Sequence, residues 1–264
     1  MELFVNNALA ILTHAIRMLL HEPGTTLRVI APALLGVLAS VIAAAILVPD
    51  ALIAIQSTPD TFVAPAPSSA MLLLFLSIAG LIGYALMAIL WHRYVLINGA
   101  DEGGHIKAGF SVLLGYLWRA IILALVQFLI AIPVGIAIAV FGGMGAAMSG
   151  GLTMFLVVGV LAGIFFIWVA LRLSVVLPAA ALGQTMRITE SWQVTATISN
   201  ALWGVAVLLA LMNLVISLIS NAILPDGIGM SVIMQTLIFI IEGLVFISVL
   251  TTLYGHLVEG RSLD

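Results

Sequence analysis

Long apolar stretches, separated by short polar or turn-rich breaks, follow one another along the whole chain. A bilayer core about 30 Å thick needs roughly 20 apolar residues for each helix that crosses it. The stretches that reach this length cover residues 27–48, 70–97, 117–141, 153–181, 200–223 and 231–256. Strands of a membrane barrel would instead appear as short alternating segments. The pattern therefore predicts an all-α, polytopic six-transmembrane helix bundle that forms one integral membrane domain over residues 1–264.

The breaks between the predicted spans are short enough to join antiparallel neighbours. Residues 48–69 carry four prolines between Pro49 and Pro67, which favours an extramembrane loop. The glycine-rich segment FGGMGAAMSGG, residues 141–151, predicts a flexible turn. The remaining breaks cover residues 98–109, 183–193 and 224–229.

The apolar hairpins resemble one another, which suggests an internal repeat. Units over about residues 1–100, 101–183 and 184–264 each contain an amphipathic segment, a span, a loop and a second span. In the first unit Thr13 and Arg17 lie on a polar face, and the opposite face carries Leu9, Leu12, Ile16, Leu19 and Leu20. We expect three parallel hairpin repeats, each preceded by an amphipathic interfacial helix. Two alternatives stay open. The amphipathic segments could pack beneath the bundle instead of lying at the interface, and the likeness of the units could be only the likeness that any two apolar hairpins share.

The composition narrows the class of protein. The chain is 64% hydrophobic and 7% charged, whereas soluble domains average about 45–50% and 25%. This balance excludes a soluble enzyme and a disordered chain. Since Lys and Arg number 8 against 11 Asp and Glu, we expect no nucleic-acid partner. The sequence has no Cys, so disulfides, thiolate metal sites and covalently attached haem are excluded as well.

Basic residues indicate an orientation for the six spans. The eight Lys and Arg residues fall on one side of the predicted arrangement, and the opposite loops contain Asp50, Asp60 and Asp226. Because cytoplasmic loops carry the excess of basic residues, we expect both termini to lie in the cytoplasm. The N-terminal segment has an acid at Glu2 and no basic leader region, so we do not expect a cleaved signal peptide.

Glu242 stands alone near the middle of the last predicted span. An acid at that depth costs about 2.5–3.5 kcal/mol on insertion scales, so it should face protein or water and have a partner. Arg172 and Asn213 are candidate partners. The carboxyl is either a proton or cation site, or a hydrogen-bonded group that holds helices together.

Basic and aromatic residues near the ends of three spans form a second candidate site. Long basic side chains near a helix end usually extend to the membrane interface, and Arg93 and Arg172 are placed to do so. Alternatively Arg93, Arg172, Tyr254 and His256 line a vestibule that holds an anionic headgroup or a protein partner. Two further patterns concern packing. The Gly159–Gly163 pair is expected to pack closely within the bundle, and polar residues inside the spans are expected to form hydrogen bonds between helices: Gln127, Asn213, Ser217, Ser220 and Gln235.

No set of residues predicts catalysis. The five histidines lack the spacing of metal ligands, and no Ser–His–Asp order, paired catalytic carboxylates or redox motif is present. We therefore expect no enzyme activity, no metal and no cofactor.

The run RLSVVLPAAALGQTMRITESWQVTATISNALW, residues 172–203, resembles bacterial uncharacterised membrane proteins similar to the membrane domain of glycerophosphoryl diester phosphodiesterases. The matching positions are Arg172, Ser174, Pro178, Trp192 and Thr195, and WHRYVLING, with Arg93, is similar to the same element in an earlier unit. The resemblance implies a six-helix bundle in a bacterial inner membrane. It does not imply the phosphodiesterase reaction, because the catalytic His-Arg-Gly and Glu-Asn patterns do not occur.

These observations favour a non-catalytic integral membrane protein of the bacterial inner membrane, in an accessory or scaffold role. Its expected partners are membrane lipids or another membrane protein complex, bound through interfacial helices and the bundle surface. The alternative is a small-solute or ion transporter or channel that uses Glu242, supported by the span prolines Pro32 and Pro133. Transporters usually bring more polar residues together at mid-membrane than this single acid.

Overall fold

A computed structural model describes residues 2–97, 108–147, 151–223 and 227–263, and every regular element in these ranges is helical. The elements are α1 (Glu2–His21), α2 (Pro23–Leu47), α3 (Pro49–Gln56), α4 (Pro67–Leu96), α5 (Phe110–Ala147), α6 (Gly151–Leu173), α7 (Val176–Ala181), α8 (Ile188–Val194), a 3₁₀ turn (Thr195–Ile198), α9 (Ser199–Ile223) and α10 (Ile228–Leu257).

Six helical segments of the described chain are long and apolar enough to cross a membrane. They cover Pro23–Leu47, Pro67–Leu96, Phe110–Val140, Leu156–Ala181, Ile188–Ser220 and Ile228–Leu257. The prediction of an all-α, six-span architecture is confirmed. The fifth span differs most from its predicted bounds, because the polar residues after Arg187 are already helical and run into the apolar part of α9.

Prolines mark where three helices begin. Pro23, Pro49 and Pro67 occupy the first helical positions of α2, α3 and α4, where the missing N–H has no intrahelical acceptor to lose. Pro32 and Pro133 lie inside α2 and α5, and both helices continue past them. Their role in a transport pathway stays a prediction.

The chain forms two compact units. Unit 1 contains Met1–Arg17, Phe110–Leu214 and Val249–Asp264, and unit 2 contains Met18–Gly109 and Val215–Ser248. The threefold repeat and its boundaries stay a prediction.

In unit 1, α5 packs against α6 and α7. Leu123 of α5 is buried with Val169 and Leu173 of α6 and with Val176 of α7. Gln127 donates from Nε2 to the Phe166 carbonyl oxygen at 3.5 Å, so it bonds between α5 and α6 as expected. The same expectation is wrong for Ser220 and Gln235, which bond within their own helices, to the Ile216 carbonyl oxygen and to Ser231 Oγ. This packing fixes the ends of α6 and α7, which position the candidate site.

In unit 2, α2 packs along α4. A β-carbon at Gly83 would lie 2.9 Å from Val37 Cγ2 and 3.4 Å from the Ala33 carbonyl oxygen. The two backbones therefore approach closely only because position 83 has no side chain.

The expectation of a loop over residues 48–69 is wrong for Pro49–Gln56, which form α3. Pro49 starts this helix, and the apolar residues after it bury Ala51 and Leu52 in a cluster with Ala44 and Val48. Asp50 accepts a hydrogen bond from the Ala66 amide at 3.4 Å. A hydrogen bond from Ser69 and further backbone bonds keep the pKa of the Asp50 carboxyl below its usual range.

The glycine-rich turn is also wrong over residues 141–147, since α5 stays helical to Ala147. In lipid the helix satisfies all its own backbone hydrogen bonds, which favours continuing it through glycines. Residues 148–150 lie outside the described chain, as do residues 98–107 and 224–226 in two other predicted breaks.

The first predicted amphipathic segment is helix α1. Its buried residues are Ala8, Ile11, Leu12 and Ala15, whereas Asn7, Thr13 and Arg17 are exposed. Leu9 and Leu20 of the predicted apolar face are 41% and 68% exposed. The placement of α1 on a membrane surface stays a prediction.

The expectation that the Gly159–Gly163 pair packs closely within the bundle is wrong for the described residues. A β-carbon at either glycine would have no neighbour within 4 Å. Both lie on a side of α6 that faces away from its packed neighbours. A motif of two small residues with three residues between them does not reveal which side of a helix is packed.

Candidate functional site

The site is built around the end of α6, where Pro178 interrupts the helical bonding. Proline has no N–H, so nothing at position 178 can donate to the Ser174 carbonyl. The Leu177 amide donates to that carbonyl instead, at 2.9 Å. The chain therefore turns after Leu173 and continues as the short helix α7.

Gly183 ends α7 and turns the chain toward α8. Its amide donates to the Ala180 carbonyl and the Gln184 amide donates to the Ala179 carbonyl, both at 2.9 Å. This pair of backbone hydrogen bonds forms a Schellman motif, which requires a residue in the left-handed conformation after the helix. Gly183 has φ of 76°, a conformation that glycine adopts without steric cost.

Helix α8 begins directly after Arg187. The Glu190 carboxylate accepts a hydrogen bond from the Arg187 amide at 2.9 Å, which satisfies a backbone donor at the start of the helix. After the seven residues of α8 the chain passes into the 3₁₀ turn and then into α9. The segment between α6 and α9 is thus a compact sequence of short helical pieces.

The Arg172 guanidinium holds this segment against the end of α6. Its Nε donates to Thr195 Oγ1 at 3.2 Å, its Nη1 to Ser199 Oγ at 3.4 Å, and its Nη2 to the Trp192 carbonyl oxygen at 2.5 Å. Arg172 is 6% exposed. Its side chain therefore neither extends into solvent nor offers its main donors to a ligand.

The Arg172 backbone is bonded to the same segment. Ser191 Oγ donates to the Arg172 carbonyl oxygen at 2.7 Å, and Thr195 Oγ1 lies 3.4 Å from it. This carbonyl lies in the last turn of α6, where acceptors lack intrahelical partners. Ser191 and Thr195 are fully buried, so these bonds form in a medium where an unmet acceptor is costly.

Tryptophan rings surround the cation. The Arg172 Cζ atom lies 3.8 Å from the ring centroid of Trp192 and 5.4 Å from that of Trp168. Trp168 stacks on Trp203 with centroids 4.7 Å apart and an interplanar angle of 14°, and it meets Trp192 edge-on. We call Arg172, Trp168, Trp192 and Trp203 the tryptophan cage.

No carboxylate in the described part of unit 1 forms an ion pair with Arg172. The positive charge is instead compensated by the faces of aromatic rings and by the Trp192 carbonyl at the C-terminal end of α8, where the helix dipole favours a cation. The arrangement has a structural role, because the acceptors of the Arg172 guanidinium described above all belong to the chain itself.

A cleft of about 400 Å³ opens beside this segment. Its charged members are Arg119 and Arg187, and Trp118, Ile122, Val176, Met186, Ile188 and Thr189 complete the lining. We call it the arginine cleft. Arg119 donates to the Gly115 carbonyl oxygen at 3.2 Å and to the Gln184 carbonyl oxygen at 3.5 Å.

A second cleft has a volume of about 450 Å³, and Met186 lines both clefts. Tyr254, Gln184 and Glu190 provide its polar groups. The Tyr254 hydroxyl donates to Gln184 Oε1 at 2.7 Å, so Tyr254 is engaged in fixing the turn after α7.

The remaining predicted site residues line neither cleft. His256 Nδ1 lies 2.9 Å from the Arg261 carbonyl oxygen, in the last turn of α10. Arg93 is half-buried in the last turn of α4, within unit 2. Glu242 is half-buried in α10, and Asn213 is exposed in α9. A role of any of these residues in ligand or ion binding stays a prediction.

Sequence reasoning missed the arginine cleft and the tryptophan cage as units. The spacing of residues along the sequence does not show that Arg119 and Arg187 share a cleft. The signal for the cage was the set of positions that carried the family resemblance, because Arg172, Trp192 and Thr195 all contact one another. Among the described residues, no group of three or more His, Asp or Glu could hold a metal ion.

The six apolar helices in the described part of the chain are long enough to span a bilayer, and they make it a multi-pass integral membrane protein. No protein-family model, curated protein or solved structure matches the chain.

Proposed function

We propose that this chain is a non-catalytic integral protein of the bacterial inner membrane that binds membrane lipid at the segment between α7 and α9. In this proposal both termini lie in the cytoplasm, and the role is that of an accessory or scaffold protein. Bound lipid would couple the protein to its membrane surroundings and to any membrane complex it joins.

The observation that carries the proposal is the pairing of two arginines on one cleft without carboxylate partners. No carboxylate in the described part of unit 1 forms an ion pair with Arg119 or Arg187, although both line the same opening. In a chain with 7% charged residues, two cations that lie beside apolar spans and form no ion pair with the described residues favour an anionic ligand from the membrane itself.

Exposed tryptophans at the same end of unit 1 support this location. Trp118 is 63% exposed and Trp192 is 39% exposed. Tryptophan is enriched where the hydrocarbon meets the headgroups, since its ring is apolar and its N–H is polar. These side chains would hold the segment at headgroup depth.

Native mass spectrometry of the full chain, released from mild detergent, tests the proposal. We expect about one anionic phospholipid to remain bound to each chain after gentle activation. A clean, lipid-free chain under the same conditions would contradict the proposal. A stoichiometric protein partner with no lipid would instead favour the hypothesis that the chain binds another membrane protein complex.

The transporter or channel alternative makes a separate demand on Glu242. Proteoliposomes that contain the wild-type chain would then conduct a solute or ion, and Glu242→Gln would abolish the flux without unfolding the protein. Under our proposal the wild-type and Glu242→Gln proteoliposomes are as tight as empty vesicles.

A further inference from the structure

We infer that the arginine cleft is the binding site for the phosphate of an anionic glycerophospholipid, with Arg119 and Arg187 as its two ligands. This inference rests on the proposed function and adds to it the site, the ligand group and the residues that hold it.

The two guanidinium groups have hydrogen-bonding capacity to spare. A guanidinium carries five N–H donors. Arg119 uses Nη1 and Nη2 for one backbone carbonyl each, and the Arg187 side chain forms no hydrogen bond with the described residues. A phosphate between them would accept several charge-assisted bonds, and arginine matches the oxygens of a phosphate in pairs.

Charge explains why the occupant should be an anion. Two like charges on one cleft repel each other, and no carboxylate in the described part of unit 1 forms an ion pair with either of them. Glu190 is the nearest acid along the chain, but its carboxylate bonds the Arg187 amide and lines the second cleft. An arriving phosphate therefore gains attraction from both arginines at once.

The rest of the lining explains why that phosphate should belong to a lipid. Ile122, Val176, Met186 and Ile188 are apolar, and the exposed Trp118 extends the apolar surface along α5. A free phosphate ion would gain nothing from these side chains. A lipid would place its glycerol and the first part of an acyl chain against them, which removes apolar surface from water.

The position of the arginines along the spans agrees with this assignment. Arg119 lies in the first third of α5, and Arg187 directly precedes the fifth span. Arg187 therefore lies where its span begins, and the Arg119 side chain extends back toward the start of its own span, since its Nη1 donates to the Gly115 carbonyl oxygen. Basic side chains near a helix end extend in this way toward the membrane interface. A cleft of this volume falls within the range of small-ligand sites, about 300–1,000 Å³.

The experiment titrates phosphatidylglycerol into the purified, delipidated full chain in a neutral detergent and follows binding by native mass spectrometry. Phosphatidylcholine and inorganic phosphate are the comparison ligands. Arg187→Gln is the main variant, because its side chain makes no hydrogen bond with the described residues and its loss should not affect folding. Arg119→Gln is the second variant, and Arg28→Gln is the control, since Arg28 is exposed and lines neither cleft.

We expect phosphatidylglycerol to bind more tightly than phosphatidylcholine, and each cleft variant to weaken it about tenfold, the loss of one charge-assisted hydrogen bond. Arg28→Gln should bind like the wild-type chain. Wild-type binding that both cleft variants retain would overturn this site but leave lipid binding standing. No binding of either lipid by the wild-type chain would overturn the proposed function itself. Inorganic phosphate that binds more tightly than phosphatidylglycerol would overturn the assignment to a lipid.

Discussion

The Arg172 guanidinium lies over the Trp192 ring, with Cζ 3.8 Å from the ring centroid, and its Nη2 also donates to the Trp192 carbonyl oxygen at 2.5 Å. Arg172 thus contacts both the ring and the backbone of a residue in the next helical segment. Together with the bonds of Thr195 and Ser191 to the Arg172 carbonyl, this fixes α8 against the end of α6. The arginine cleft is formed partly by residues of the segment that these contacts hold in place.

Arg172→Lys should destabilise the protein by about 1–3 kcal/mol. Lysine keeps the positive charge, but its single ammonium cannot reach Thr195, Ser199 and the Trp192 carbonyl at once, and it stacks less well on the indole. The free energy of unfolding in mixed micelles measures the loss, and the near-UV circular dichroism of the tryptophan cage should weaken with it. Arg187→Lys is the matched control. Equal stabilities of the two variants would contradict the role of Arg172 in fixing α8 against the end of α6.

Thr195→Val should cost about 1–3 kcal/mol of stability, because it leaves a buried guanidinium N–H without its acceptor. Thr195 is fully buried and accepts from Arg172 Nε, and its hydroxyl also bonds the Ser191 carbonyl at 2.7 Å. Thr197→Val provides a matched control in the same 3₁₀ turn, since Thr197 is exposed and bonds the Val194 carbonyl. Thermal unfolding in detergent compares the two. An equally large loss of stability in Thr197→Val would show that the substitutions destabilise the 3₁₀ turn itself and that the bond to Arg172 is not the cause.

The sequence predicted the spans well because burial in lipid imposes one simple requirement. Any segment that crosses needs continuous apolar character and internal backbone hydrogen bonds, and both can be read from a single stretch. Helix α3 was missed for the opposite reason. Its eight residues are too short to cross, and their helical state depends on burying Ala51 and Leu52 against α2 and other residues of unit 2.

The candidate site was harder to predict, because it depends on which residues meet in space. The sequence indicated Arg172 by its position near the end of a span, but its partners Thr195 and Ser199 become apparent only once α8 folds back. Tyr254 was chosen for a vestibule, but its hydroxyl bonds Gln184, a residue 70 positions away in the chain. Spacing rules describe neighbours on one helix and contain no information about such contacts.

Gly83→Ala should destabilise unit 2 by about 1–3 kcal/mol through overpacking. The new β-carbon would lie 2.9 Å from Val37 Cγ2 and 3.3 Å from the Val37 amide nitrogen, so α2 and α4 must separate. Gly80→Ala is the control on the same helix, because its β-carbon would lie 3.8 Å from Ser40 Cβ, an ordinary contact. Unfolding in mixed micelles should separate the two variants, and Val37→Ala should restore part of the loss. If Gly83→Ala is as stable as Gly80→Ala, the close approach of the helices is not required.

Gly243→Ala should be the most damaging of these packing changes. A β-carbon at position 243 would overlap the Tyr84 hydroxyl and lie 2.8 Å from Tyr84 Cζ. Tyr84 has little room to move, since its ring also packs against Phe239 with centroids 5.4 Å apart. Overpacking of this kind costs about 1–3 kcal/mol, and we expect a loss at the upper end of that range.

Two further variants separate the clash from other effects of the substitution. Gly229→Ala in the same helix brings its β-carbon 3.5 Å from Ala45 Cβ, an ordinary contact, and should leave stability nearly unchanged. Adding Tyr84→Phe to Gly243→Ala removes the hydroxyl but leaves the ring, so it should recover part of the lost stability and not all of it. Unfolding in mixed micelles measures all three. Full stability of Gly243→Ala alone would mean that α4 and α10 are not held at this distance, and that Tyr84 can move away from position 243 without cost.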